Sequence, residues 1–381
     1  MKVYLRVLSI RKHKKVSFLN GFSNEFGILQ FMVYNEIFDN INCGDLIYVD
    51  ITETINNKGN NIKCITKINS IIKSTEFESY KGINNKIEDF RQQDFLNARN
   101  GGNQITLLKY KRQLLKKIRE ILDEMEFFDA TNLLNTVEYL PNGSGIIEAE
   151  IKDRENGPSY LRITLENQLK QMMAITLNSV YAIDKVFRNM GEDSNHTNEF
   201  LMLEFVSLKM SIDDIINFIK KIDGLAKNMA KKYNLISELN DLEIIDYNDL
   251  VKYNKSFSEI KCNLINSLIV NFPCCSPFIK KDKTTGLQTE VRWYMDGKWI
   301  SHFYNDENNE IVIRKILEKQ MIETNKEKIN ELDYYKWGLP YTTSFGLSID
   351  RWLQALLQKE NISSITNPIQ LDYLDRRLKK K

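Results

Sequence analysis

The chain has 381 residues, 42% of them hydrophobic and 27% charged, so it is long and apolar enough for two or three cored domains. Its formal net charge is +2, which gives no global attraction for nucleic acid; any such surface has to be argued locally.

The opening stretch "MKVYLRVLSIRKHKK" alternates apolar and polar residues and is broken by charge, so it reads as a strand and neither as a signal peptide nor as an anchor. No apolar run approaches the ~20 residues that span a bilayer. A soluble, cytoplasmic protein without a membrane partner is the expectation. "KKVSFLNGF", "FGILQFMVYN", "GDLIYVDITETI" and "IKCITKINSII" follow as further short strands, separated by Gly- and Asn-containing turns, with "NNKGNN" at a solvated hairpin tip. Five strands within residues 1–75 predict a small barrel, and the five-stranded OB-fold is the candidate. Residues 76–105 are polar and read as a linker.

From residue 106 the period changes. "LLKYKRQLLKKIREILDEMEFF" sets Leu107, Leu114, Leu115, Ile118, Ile121 and Leu122 on one face of a long helix. Strands are expected at "YLRITL", "SVYAIDKVFRNM" and "FLMLEFVSLKM". "SIDDIINFIKKIDGLAKNMAKKY" reads as an amphipathic helix with Ser211 as its N-cap. "SFGLSIDRWLQALLQKEN" reads as strand, turn and helix. Strands interleaved with helices after a barrel predict an α+β body over residues 106–381. The five cysteines, Cys43, Cys64, Cys262, Cys274 and Cys275, form no C-x-x-C pair and read as reduced thiols.

Several segments, in this order, carry a resemblance. "KYKRQLLKKIREILDEMEFFDATNLL" is similar to motif 1 of class II aminoacyl-tRNA synthetases of the lysyl, aspartyl and asparaginyl subgroup. "FRNMGEDSNHTNEFLMLEF" resembles motif 2, and "FGLSIDRWLQALL" resembles motif 3. "YLRITLENQLKQMM", "NFPCCSPFIKK" and "DGKWISHFYNDENN" look like intervening segments of the lysyl enzymes. The resemblance implies an N-terminal OB-fold that binds an anticodon, then a catalytic domain built on an antiparallel sheet flanked by helices. It also implies a homodimer.

The resemblance further implies site residues. Arg188 matches the motif 2 arginine on the α-phosphate of ATP and the substrate carboxylate, and a planar, always-charged fork suits that task. Arg351 matches the motif 3 arginine at the γ-phosphate end. His196, Glu199 and Phe200 fall in the ATP-binding part of motif 2, with Phe200 as an adenine platform. Gly145, Glu166, Glu204, His302, Tyr304 and Asp306 align with the amino-acid pocket. Several carboxylates around one cavity repel unless a cation fills it, which favours a basic amino acid such as lysine. In the barrel, Phe18 and Gln30 match positions that contact an anticodon base, and the nearby "RKHKK" is either a steering patch or an exposed strand end.

The sequence departs from the pattern in four places. Arg292 and Trp299 replace acids that hold ATP-linked Mg²⁺, so Mg²⁺ stays an expected companion of ATP but without its usual acidic ligands there. Arg292 either supplies a fixed positive charge itself or pairs with Glu290. Met190 and Asn195 replace ATP contacts of motif 2. Ser344 and Ser348 replace motif 3 glycines, where a side chain narrows the pocket. Asn132 stands where motif 1 carries a proline. The chain is also short beside a lysyl enzyme and reads as a trimmed paralogue. Two functions are therefore expected. One is an ATP-dependent ligase that adenylates an amino acid and passes it to tRNA or to a biosynthetic acceptor. The other is an inactive descendant that binds amino acid or tRNA as a sensor or accessory subunit.

Overall fold

A computed structural model describes the chain except for residues 24, 38–39, 56–60, 75–102, 139–146, 150–158, 190, 238–239, 253–256, 325–334, 336–337 and 367–381. The expected linker lies mostly outside the described residues, as do most of the "NNKGNN" tip, Gly145 and Met190. Two compact units divide the chain, one containing Met1–Lys109 and the other Tyr110–Thr366.

In the first unit, β1 (Lys2–Lys12), β2 (Val16–Ser23), β3 (Gly27–Tyr34), β4 (Leu46–Ile55) and β5 (Asn61–Ile72) close into a barrel in the order β1-β2-β3-β5-β4. All pairs are antiparallel except β3 with β5. Alternation sets the interior: Val3, Leu5, Leu19, Phe31, Val33, Ile47, Val49 and Ile65 fill it. This is the five-stranded, OB-like barrel expected from the strand spacing.

The second unit holds most of α1 (Asn103–Glu124), then β6 (Phe128–Asp129). A small three-stranded sheet follows from β7 (Val137–Glu138), β8 (Ile147–Ala149) and β9 (Ser159–Leu161). Next come α2 (Glu166–Thr176), β10 (Val180–Phe187), β11 (Glu199–Ser207), α3 (Ile212–Lys232), β12 (Glu243–Asp246), α4 (Tyr247–Val251) and α5 (Phe257–Lys261). The unit continues through β13 (Asn266–Pro273), β14 (Thr289–Met295), β15 (Lys298–Asn305), α6 (Glu310–Thr324), β16 (Thr343–Ser348) and α7 (Ile349–Leu356). The large sheet has eight strands in the order β12-β13-β14-β15-β16-β11-β10-β6. Its six central strands are antiparallel, and only the edge pairs β12–β13 and β10–β6 are parallel.

The two faces of this sheet do different work. One is aromatic: Phe205 stacks on Phe345 with centroids 4.6 Å apart, Phe218 of α3 packs edge-on at 5.6 Å from Phe205, and Trp352 of α7 meets Trp293 at 5.7 Å. Such rings bury large areas and fix α3 and α7 against the strands. Ser211 starts α3 with a capping box: its Oγ accepts from Asp214 N at 3.2 Å, and the Asp214 carboxylate accepts from Ser211 N at 2.9 Å. Such a cap contributes about 1 kcal/mol. On the other face, Leu169 and Met173 of α2 pack over Val180, Ala182, Val186, Met202 and Val206, which are alternate residues of β10 and β11. The rest of that face is left for the cleft. β16 runs directly into α7 with no intervening turn, because Ser348 is at once the last strand residue and the N-cap.

Candidate functional site

The cleft is laid out by strand register. Ala182 pairs with Glu204, Glu204 with Gly346, Gly346 with His302, and His302 with Arg292. Directly opposed residues share a face, so Arg292, His302, Gly346 and Glu204 form one row across four strands. A side chain at position 346 would meet His302 at 3.6 Å, so a glycine keeps that part of the row open.

Two compartments that share Arg188 as a wall lie on this face. The first is lined by Glu166, Arg188, Glu204, His302, Tyr304 and Ser344 among others. The second is lined by Arg188, Asn195, His196, Phe200, Ser348 and Arg351 among others. Arg188 belongs to both. It stands just past the end of β10, where its backbone N–H donates to Asn198 across the hairpin. Its Nε donates to the Ile163 carbonyl at 2.9 Å, and its guanidinium lies 5.4 Å from the Phe200 ring centroid. Arg351 sits in the first turn of α7, where Nη1 donates to the Trp299 carbonyl at 3.0 Å. Its Nε is buried and meets no acceptor among the described residues. Burial holds both guanidinium groups below their ordinary value, and for Arg351 the nearness of Arg188 adds to it. Two under-compensated cations in one compartment are suited to an anion.

The loop between β10 and β11 adds His196, whose Nδ1 is 2.9 Å from the Asp193 carboxylate. Asn195 does not reach into the compartment alone; Gln354 of α7 donates from Nε2 to Asn195 Oδ1 at 3.2 Å and to the Ser194 carbonyl at 2.8 Å. Gln354 is fully buried and holds the loop against the helix, a role the sequence reading missed. Glu199 is set apart: it pairs with Lys185 on the exposed side of the hairpin, because adjacent strand residues face opposite ways and Phe200 takes the cleft side.

The acids at and behind the first compartment are tied together by a residue not anticipated from sequence. Lys170 of α2 is fully buried, with Nζ 2.6 Å from Glu166 Oε1 and 2.8 Å from Asp306 Oδ1. Glu166 also accepts from the Tyr304 hydroxyl at 2.9 Å. Burial works to raise Glu166, but Lys170 outweighs it and leaves that carboxyl below its ordinary value. Asp306 does not line the Arg188 cleft. Its oxygens are taken up by Lys170, by Thr342 at 2.7 Å and by Ser344 at 2.8 Å. The cation expected among the acids is thus supplied, in part, by the chain. Glu204 faces the cleft and accepts from Thr164 Oγ1 at 2.8 Å and Leu165 N at 3.0 Å; burial, and then Glu166, push its carboxyl up.

The two motif 3 serines have structural partners, Ser344 bracing Asp306 and Ser348 capping α7. Arg292 pairs with Glu290, Nε at 2.7 Å and Nη2 at 2.5 Å, so the pairing alternative is the one observed. Its guanidinium lies 3.8 Å from the Phe272 centroid and 4.4 Å from that of Trp299. Glu290 gives its other oxygen to His302 Nδ1 at 2.9 Å. This donor set does not fit Mg²⁺, which requires several oxygen ligands at about 2.0–2.1 Å. Asn132 has a φ of 65°, a value that a proline ring cannot adopt, so the missing motif 1 proline matches the local backbone.

In the barrel, Phe18 and Gln30 are diagonal neighbours on the outer face, since Phe18 pairs with Met32 and Asn20 with Gln30. Arg11 lies 5.5 Å over the Phe18 ring and His13 packs edge-on at 5.7 Å. Gln30 donates to Asn20 Oδ1 at 3.3 Å, and Asn20 donates to Ser9 Oγ at 2.9 Å.

An antiparallel sheet with one arginine on a hairpin and another on the helix after its last strand is the build of a class II synthetase catalytic body. The model of tRNA synthetases class II (D, K and N) matches residues 88–367, and the chain belongs to that family. It is 24% identical to a lysine–tRNA ligase of Wigglesworthia glossinidia brevipalpis over 94% of this chain and 86% of that protein. It is 25% identical to a lysine–tRNA ligase of Mesomycoplasma hyopneumoniae (strain 7448) over 88% and 80%, respectively. A probable cytoplasmic lysine–tRNA ligase of Vairimorpha ceranae is 23% identical over 94% and 84%. Among the described residues no helix is long and apolar enough to cross a membrane.

Proposed function

We propose that this chain is an ATP-dependent ligase that activates an amino acid as its adenylate and transfers it to tRNA. The carrying observation is that Arg188 lines both compartments while Arg351 lines the second. A nucleotide in the second compartment and an amino acid in the first would meet at Arg188. The substrate carboxylate oxygen attacks the α-phosphorus in line, a new P–O bond forms, and the bond to the β-phosphate bridging oxygen breaks to release pyrophosphate. Arg188 aligns the two reactants and stabilises charge on the equatorial phosphate oxygens, while Arg351 holds the leaving end. Phe200 serves as the adenine platform, and His196 lies within reach of the phosphates.

The amino acid is proposed to be lysine or a close basic analogue. The first compartment is lined by two carboxylates, Glu166 and Glu204, and by one cation, Arg188, while the buried Lys170 and Asp306 behind it offset each other. A zwitterion carrying one extra ammonium balances that charge. The relatives with lysine–tRNA ligase names agree with this reading, and the outer face of the barrel at Phe18 and Gln30 is the proposed tRNA contact. A homodimer through α1 is part of the same reading.

ATP–pyrophosphate exchange with a panel of amino acids tests it, lysine first. Exchange with lysine is expected, and Arg188→Ala and Arg351→Ala should each lower it by roughly 10–150-fold, the equivalent of ~1.5–3 kcal/mol for one charge-assisted contact. Absence of exchange with every amino acid would leave the second reading, a binding subunit without catalysis, which the replaced acids at Arg292 and Trp299 favour.

A further inference from the structure

The strand pair β14–β15 carries a charge cluster that works against a divalent cation. Glu290 is the carboxylate at its centre and is almost fully buried. One oxygen is held by Arg292 and the other by His302, so both faces of the carboxylate are committed. A metal bound to Glu290 would have to displace one of these and sit against the guanidinium, where like charges repel steeply away from solvent. Arg292 cannot swing away easily, because Phe272 and Trp299 sandwich it. Among the described residues no group of three or more His, Cys, Asp or Glu side chains is placed to hold a metal.

The cluster is also joined to the cleft. Trp299 gives its carbonyl to Arg351, and His302 lines the first compartment beside Arg188. With Nδ1 on Glu290, the His302 ring is fixed in orientation, and its Nε2 edge is the one nearest Gly346 at the cleft floor. Arg292 and His302 lie in the same cross-strand row as Glu204. A guanidinium held in place by Glu290 therefore stands in the cross-strand row that leads to the cleft.

Resting on the reading of the site as an ATP site, we infer that this chain takes its nucleoside triphosphate without a divalent cation held by β14 and β15. Arg292, held in place by Glu290, supplies the fixed positive charge at that position. Negative charge on the phosphate oxygens is met by hydrogen-bonding cations that are already in place and need no metal recruitment.

ATP binding to the full chain, measured by calorimetry in excess EDTA and again in saturating Mg²⁺, separates the possibilities. Affinities within about threefold of each other are expected, a difference well under the tenfold that one lost charged contact produces. A tenfold or larger loss in EDTA would overturn the inference while leaving the nucleotide reading intact. Binding in neither buffer would remove the nucleotide reading itself, and the inference with it. Arg292→Gln should weaken metal-free ATP by about tenfold; unchanged affinity would show that the cluster is not the source of the charge. Arg292→Glu combined with Trp299→Glu should make ATP binding depend on Mg²⁺, provided its thermal melt shows that it folds. If the double variant does not fold, the single Arg292→Gln variant decides the matter by itself.

Discussion

At the scale of single residues, Lys170 changes what the acids around it can do. Burial opposes its charge, yet Asp306 and Glu166 hold its ammonium well above the ordinary value. With Lys170 committed to those two, Glu204 is the carboxylate left to a ligand cation, and burial keeps it above the usual carboxylate range. The sign follows from linkage. A raised carboxyl pKa means the folded chain gains stability as pH falls through it, whereas a ligand ammonium needs the ionised form and is lost over the same interval. Lysine affinity measured by calorimetry should therefore fall from neutral into mildly acidic pH, and Glu204→Gln should flatten that profile while weakening lysine. A profile as steep in the variant as in the parent would remove Glu204 from this role. Sequence alone could name Glu204 and Asp306 as acids near the site. It could not show that Asp306 is consumed internally, because that depends on a lysine one helical turn past Glu166 and on two hydroxyls some 36 and 38 residues downstream. The displacement of Glu199 was legible in principle, since it and Phe200 are neighbours on one strand.

At the scale of elements, the hairpin β10–β11 and the helix α7 act as a pair. Gln354 and the Ile362 N–H both bond the Ser194 carbonyl, so the loop that carries His196 is pinned before any ligand arrives. Pre-organisation of this kind lowers the ordering cost of binding. Gln354→Ala should raise KM for ATP several-fold with a much smaller change in kcat, alongside a loss of roughly 0.5–1.5 kcal/mol in stability for the hydrogen bond removed, since the Ser194 carbonyl keeps the Ile362 N–H. Steady-state kinetics with a thermal melt reads both; a lower Tm with an unmoved KM would make the residue structural only. The elements themselves were legible from period and capping, as Ser211 with its two following acids shows. Gln354 was not, because a glutamine inside an apolar helix signals a buried partner without saying that the partner lies 160 residues earlier.

At the scale of the whole molecule, the proposed function gives each unit a recognition surface of its own. The barrel interior was readable from alternation, and the same alternation puts Phe18 and Gln30 outside together. Base stacking on an aromatic is worth ~1–3 kcal/mol, so Phe18→Ala should weaken tRNA binding about tenfold in a gel shift. Gln30→Ala should relax discrimination among tRNAs more than it lowers affinity. Equal retention of the same tRNAs by both variants and the parent would take the barrel out of tRNA recognition.

The left-handed turn at Asn132 carries a consequence for anyone rebuilding this chain toward its relatives. Placing the proline of the motif 1 pattern there would ask a locked ring to fit a torsion of the opposite sign. Position 132 thus works as a one-way lock: an imino acid can enter it only if the neighbouring backbone moves first.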